Sequence, residues 1–404
     1  MSQMMRDGMI RDALSLRDGS SLWTSVSNSQ VTRLMTSQSF WSRFGLQGVD
    51  RGICVRAVRD CYGGCELEEF EEQGYCSCTL LVTPARSVST ANDTLPEAFA
   101  VVENNKRPAF IVQLRPARHA LDLNIVLAAS MTYPTLAPTI KLLDLALLKG
   151  ICAYEMEKLN GTPLSRLQRR ERSLDAGTRK QLERLITGFA DLIARSWHSP
   201  HKAQSMSRTT RADSPIDERP SMLSQCRGKV GSTIISRLER LVSELPDAHL
   251  RKRARKILHA VQRIEDYPVI LNHGDLIPSN ILIDQNTWEI TGLVDWAEAE
   301  YLPFGTCLYG LEHLLGYLTP ALPELASAWN YFEGAAHLRE LFWMRLIDAV
   351  PELRARMEDV RVMRDVGVLL WHGIAWDDGA IDRVVNKVDD VEEMTKLRAF
   401  LTAG

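Results

Sequence analysis

The chain has 404 residues, with 48 Lys+Arg against 51 Asp+Glu, a formal net charge of −3 and 45% hydrophobic residues. This composition supports a sizeable core, excludes global disorder and lacks the basic excess of nucleic-acid binders, while the length points to two or three lobes. No stretch is long and apolar enough to span a bilayer, and charges interrupt the N-terminus MSQMMRDGMIRDALSLRDGSS where a signal peptide needs an apolar run, so a cytoplasmic protein with reduced thiols is expected.

Residues 1–50 read as a helical or irregular N-terminal extension containing the aromatic cluster SFWSRFGL (Ser39–Leu46). Residues 51–157 favour strands from about Cys54 onward. Cys78–Val82, Phe110–Arg115 and Ile151–Glu157 are short, apolar and separated by polar or Pro/Gly breaks. Asn92–Arg107 is a polar connection, and Ala120–Thr132 reads as helix. Cys61, Cys65, Cys76 and Cys78 contain no C-x-x-C pair and read as small side chains around a β-hairpin rather than a zinc site.

After Leu159 the hydrophobic period changes. Leu182, Leu185, Ile186, Phe189, Leu192, Ile193 and Trp197 recur at steps of three and four, as on one face of a helix. Leu250, Ala254, Ile257, Leu258, Val261 and Ile264 repeat the pattern, and so does the region from about Leu338 to Trp371. His198–Gly231, rich in Ser, Arg, Pro and Thr, reads as a flexible surface insertion. Its GKVGS run (Gly228–Ser232) lacks the spacing of a phosphate loop, and the basic run RKRARK (Arg251–Lys256) reads as the solvated face of a helix. The expected fold is α+β, with a small β-rich N-lobe over 51–157 and a large, mainly α-helical C-lobe over 158–404.

Inside the helical lobe lies an island of strands, VILNHGDLIPSNILIDQNTWEITGLVDWAEAEYLPFG (Val269–Gly305). A strand ending at Asn272 delivers His273, Gly274 and Asp275 into a loop that Pro278 keeps from becoming helical. Asn280 opens a second strand, and a third, Ile290–Val294, ends at Asp295. Two carboxylates and a carboxamide at strand ends suit a hard cation such as Mg²⁺ and leave one carboxylate to accept a proton. That set of parts serves phosphoryl transfer.

The spacing H-G-D-L-I-P-S-N places Asp275 and Asn280 five apart, as in the kinase catalytic loop, with Asp295 fifteen residues beyond Asn280. From about Cys54 to the end of the helical lobe the chain resembles the aminoglycoside phosphotransferase-like (choline-kinase-like) family. HGDLIPSNIL and GLVDWAEAEYLPFG look most like its fungal branch. The resemblance implies a bilobal protein-kinase-like fold and an ATP- and Mg²⁺-dependent transfer to the hydroxyl of a small molecule, plausibly a secondary metabolite. It implies Asp275 as catalytic base, with His273 beside it as a brace of the loop or, less well placed, as a second proton acceptor. Asn280 and Asp295 are implied as the metal-holding pair.

The resemblance also assigns the nucleotide to the N-lobe. In Glu71–Val82, Gly74 either lets the backbone approach phosphate or marks a simple turn. Gln113 stands where such kinases carry a Lys. Arg115, two residues on and on the same strand face, either reaches the phosphates or caps the lobe surface. Asp122 lies near the place of the helical acid. Ile151–Leu167, with Glu155, Met156 and Glu157, looks like the hinge whose main chain meets adenine, the alternative being an ordinary crossover. Glu298 and Glu300 either hold a cationic acceptor or belong to the scaffold. Trp371 and Trp376 are either core or the wall of an acceptor site. A degenerate kinase fold that binds without transfer is the competing reading, favoured by Gln113. A protein kinase is discounted because D-F-G and A-P-E are absent.

Overall fold

The computed structural model describes residues 40–63, 65–70, 73–84, 108–199, 222–321, 325–377 and 380–403. The connection Asn92–Arg107, most of the 198–231 insertion and the Trp376 side chain lie outside the described residues.

Among the described residues, the N-lobe is an antiparallel sheet of β1 (Glu66–Glu69), β2 (Cys78–Thr83), β3 (Phe110–Pro116), β4 (Ile140–Leu143) and β5 (Ile151–Glu157), in the order β1-β2-β3-β5-β4. Side chains alternate across it. Cys78, Leu80, Val82, Phe110, Val112 and Leu114 are buried on one face, and their neighbours Thr79, Leu81, Ile111 and Gln113 line a cleft on the other. The buried face packs on Phe40, Trp41, Cys54 and Val58. Phe40 and Trp41, in the segment set apart in the sequence as extension, therefore belong to this core, with Phe44 and Leu46 packed against it. The segment after Cys54, read as strand-forming, is instead the end of the helix Gly48–Cys61. Cys54 and Val58 stand four apart and share the helix face turned to the sheet, and the Asp50 carboxylate accepts the Gln47 N–H at 2.7 Å at its start.

Helix Leu123–Thr132 follows β3 and is opened by Asp122, whose carboxylate accepts Asn124 N–H at 2.9 Å and Ile125 N–H at 3.3 Å. Asp122 is thus a helix cap and not the acid partner of a basic strand residue. The helix leans on the C-lobe. Tyr133 lies 5.4 Å from the Trp296 ring, and Leu293 N–H donates to Leu136 O at 2.6 Å.

The C-lobe core is built on helix Ala176–His198, whose Leu182, Leu185, Ile186 and Phe189 are buried and whose Phe189 meets Phe342 of helix Ala335–Ala349 at 5.8 Å. Helices Ile234–Glu244 and Ala248–Val261 pack on Met357–Gly373. The apolar period over 338–371 is divided between two helices because Pro351 follows the first. The strand island forms two small sheets. β7 (Val269–Asn272) pairs with β10 (Glu300–Pro303), while β8 (Ile281–Ile283) lies between β6 (Thr162–Pro163) and β9 (Ile290–Leu293).

Gly367 marks the tightest backbone approach of the long C-terminal helix. A Cβ there would stand 1.8 Å from the Thr306 carbonyl oxygen. Helix propensity alone makes Gly→Ala stabilising by about 1 kcal/mol. Gly367→Ala is expected to act in the opposite sense and lower stability by about 2 kcal/mol or more, since backbone rather than a flexible side chain must move. The urea midpoint measures it, and a raised midpoint would contradict this packing.

Candidate active site

The residues of the His273–Asn280 loop are placed by short strands, of which β7 and β8 are buried throughout. β7 ends at Asn272, whose side-chain amide donates to Ile270 O and Leu302 O, both at 3.0 Å. The turn at Gly274 has φ +78°, and a Cβ there would stand 1.8 Å from Glu298 O, so glycine is required both by conformation and by close approach. Burial holds the His273 imidazole neutral, with its pKa lowered to about 4. Its Nε2 donates to Val294 O at 2.9 Å and its Nδ1 accepts Asp275 N–H at 3.3 Å. Both ring nitrogens are occupied, so His273 ties the Asp275 loop to the end of β9 and has no site for proton exchange with a ligand. This geometry fits the reading of His273 as a brace of the loop.

Asp275 projects into a cavity of about 500 Å³. Its Oδ2 accepts from Asn280 Nδ2 at 2.8 Å. Its Oδ1 is buried and has no hydrogen-bond partner among the described residues. Burial, and secondly the charge of Asp295, raise its pKa to about 7. Asn280 also donates to Asp275 O at 2.9 Å, leaving its own Oδ1 without a hydrogen bond among the described residues. Asp295 sits in the left-handed region at φ 61°. Its side chain is 47% exposed, with Oδ1 accepting from Arg115 Nη2 at 3.1 Å. A carboxylate and a carboxamide oxygen, with the second Asp295 oxygen open, form a donor set that fits a hard, oxygen-seeking cation such as Mg²⁺.

A second cavity of about 580 Å³ lies between the sheet and the C-lobe. Gly74, Ser77, Arg115 and Asp295 line both cavities, so the two meet at this point. Gly74 belongs to the loop between β1 and β2. Gln73 braces that loop by accepting Thr79 N–H at 2.6 Å, and Arg43 donates to Gly74 O at 2.8 Å. Arg115 is 3% exposed and points into the cleft, not to the lobe surface. Gln113 accepts its Nε–H at 2.7 Å and itself donates to Thr79 Oγ1 at 3.3 Å. The amide at the expected lysine position therefore aims the arginine.

Of the two hinge acids in the sequence reading, Glu155 lies away from the cleft and Glu157 lies on it. Glu155 is in mid-strand, paired with Val112 on one side and Lys141 on the other, so its main chain is occupied by the ladder. Its carboxylate faces away, accepting from Tyr62 Oη at 2.5 Å and pairing with Lys141 at 3.0 Å. Glu155 is structural. Glu157 lines the cleft, but its N–H donates to Thr139 O at 3.0 Å, and the ladder ends there with the pair Phe110–Glu157. The open main-chain edge begins at Lys158, which with Met156 and Leu159 lines the same cavity.

Glu300 is likewise not directed at a ligand. Its buried carboxylate accepts the backbone N–H groups of Lys229 at 2.6 Å, Val230 at 3.1 Å and Gly231 at 2.9 Å. Burial pushes its pKa up and these donors pull it back. Glu298 does line the 500 Å³ cavity, where Lys229 Nζ lies 3.6 Å from it. Lys229, Arg237 and Tyr309 complete this cavity and were not singled out as site residues. Lys229 comes from a loop read as insertion, Arg237 from helix Ile234–Glu244 and Tyr309 from the short helix Tyr309–Leu314. No local spacing links them to Asp275.

A model of the phosphotransferase enzyme family (APH) matches residues 90–306, more than half of the chain. The chain belongs to this family. Phosphotransferase chemistry on a hydroxyl is thus the activity of its class, and the kinase-like α+β fold described above is that of the family. No curated protein matches the sequence. Among solved structures, it is similar to a thermostable mutant of aminoglycoside phosphotransferase APH(4)-Ia in complex with ADP and hygromycin B (14% identity, 89% of this chain, 99% of that chain, TM-score 0.45). It is also similar to APH(3'')-Id from Streptomyces rimosus with ADP and streptomycin (13%, 79% and 98%, TM-score 0.39). A third is a macrolide 2'-phosphotransferase from Brachybacterium faecium (17%, 80% and 92%, TM-score 0.42).

The raised pKa of Asp275 has a consequence for stability. An aspartate with a folded pKa of about 7 against an ordinary 3.8 binds its proton more tightly when folded. The folded state is therefore penalised as pH rises from about 4, and the penalty is complete above about 7. Asp275→Asn removes it. The variant is expected to gain on the wild type across that window, reaching on the order of 4 kcal/mol at pH 8. Urea unfolding at pH 4, 6 and 8 measures the gain, and a pH-independent difference would show a solvated carboxyl.

Proposed function

We propose that this phosphotransferase moves the γ-phosphoryl group of ATP to a hydroxyl of a small-molecule acceptor. The observation that carries the reading is the unpartnered Asp275 Oδ1, buried in one cavity, with Asp295 at the junction with the other. ATP occupies the cleft under the sheet, with its adenine against Met156 and the main chain from Lys158 onward and its phosphates under the Gly74 loop. Arg115 serves in place of the usual lysine and moves from Asp295 to the phosphates. Asn280 and Asp295 hold Mg²⁺, which when bound neutralises phosphate charge.

The acceptor hydroxyl donates to Asp275 Oδ1. As its oxygen bonds to the γ-phosphorus, its proton passes to Asp275, and the bond from phosphorus to the bridging oxygen of ADP breaks. Burial favours this proton transfer because it keeps the carboxyl pKa near neutrality. Asn280 holds the other carboxylate oxygen and so fixes which one faces the acceptor.

Asp275→Ala is expected to lower phosphoryl transfer about 10²–10⁴-fold with ATP affinity retained and the fold intact by circular dichroism. Assays of ADP release on a library of hydroxyl compounds, alongside ATP titration, decide it, and full turnover in the variant would sink the assignment. Arg115→Ala is expected to weaken Mg·ATP binding by about tenfold or more, because one desolvated cation facing the phosphates is lost. Unchanged affinity would remove Arg115 from the nucleotide site. Tight Mg·ATP binding with no transfer to any hydroxyl would instead favour a binding module, the reading that the Arg115–Asp295 pair also permits.

A further inference from the structure

The cavity that holds Asp275 has an apolar wall. Leu302, Leu370, Trp371 and Ile374 line it together with Tyr309. Trp371 stacks on Tyr309 with ring centres 4.8 Å apart and planes 8° from parallel, which makes a flat, rigid surface. The Tyr309 hydroxyl accepts Leu276 N–H at 3.0 Å, so the wall is joined to the catalytic loop one residue past Asp275.

The charges of this cavity are committed to one another. Asp295 faces Arg115, and Glu298 faces Lys229 at 3.6 Å. Glu300, which could have served a cation, is turned into the Lys229–Gly231 backbone. Arg237 also lines the cavity, held by Thr233 Oγ1 at 2.7 Å. Asp275 remains, and it is reserved for the hydroxyl. A polycationic acceptor would bring its ammonium groups beside Lys229 and Arg237, with Glu298 already facing Lys229.

We infer that the acceptor is a ring-bearing, largely apolar alcohol or phenol without positive charge, laid on the Tyr309–Trp371 surface with its hydroxyl at Asp275. Lys229 screens the pocket against cations by neutralising Glu298. The inference rests on the transferase reading for the role of Asp275, but the shape and charge of the pocket stand apart from turnover.

Calorimetric titration of the full chain with 6-hydroxy-2-naphthoate and with streptomycin tests it. The naphthoate is expected to bind at least about tenfold more tightly than streptomycin. Trp371→Ala is expected to weaken it about tenfold, with circular dichroism checking the fold. Should that variant not fold, the exposed Lys229→Glu replaces it and is expected to shift the preference about tenfold toward streptomycin. Tighter streptomycin binding by the wild type, no binding of the naphthoate, or a preference unmoved by Lys229→Glu would each overturn the inference. ADP release is assayed separately, so naphthoate binding without transfer supports the pocket assignment and counts only against the transferase reading.

Discussion

The site depends on one buried imidazole. His273 joins two strand ends that are not paired with each other, donating to the carbonyl before Asp295 and accepting the amide of Asp275. These bonds require one neutral tautomer, and burial against Trp296, with ring centres 4.4 Å apart, enforces it. A charged ring could not accept the Asp275 amide. The electrostatics of the site therefore follow from a side chain that touches neither proposed substrate.

With the two loops joined, the behaviour of Asp275 follows. It is half enclosed, close enough to Asp295 to feel its charge, and stabilised by a single amide donor from Asn280. Desolvation exceeds that stabilisation, which pushes the carboxyl toward neutrality. The Tyr309 bond to Leu276 extends the same rigid unit to the Trp371 wall. The proposed acceptor, resting on that wall, would be positioned relative to the carboxylate by packed rings.

Several polar residues near the site have no direct ligand role because a backbone or a neighbouring side chain engages them first. Glu300 gathers three consecutive amides and so sets where Lys229 enters the pocket. Glu155 faces Tyr62 and Lys141 on the far side of the sheet, and Asp122 caps a helix. Gln113 in place of lysine looks like a loss of function when viewed alone. Its hydrogen bond holds Arg115, two residues along the same strand face, toward the cleft.

The sequence by itself determined the β-rich and helical character of the two parts of the chain and the island of strands within the helical part. Hydrophobic period tells strand from helix wherever one face is buried, as in Phe110–Pro116 and Ala176–His198. H-G-D-L-I-P-S-N and the later Asp295 are local strings whose spacing carries chemistry. It misread 54–61 because two apolar positions four apart are too few to establish a period, and it set residues 40–50 outside the N-lobe because packing between distant segments leaves no local mark. Only the tertiary structure decided that β7 pairs with β10 and not with its sequence neighbours, that Arg115 reaches Asp295, and that Lys229, Tyr309 and Trp371 share a cavity with Asp275. The physical reason is range: period and turn chemistry act over a few residues, whereas desolvation, charge pairing and cavity shape depend on which distant segments the folded chain brings together.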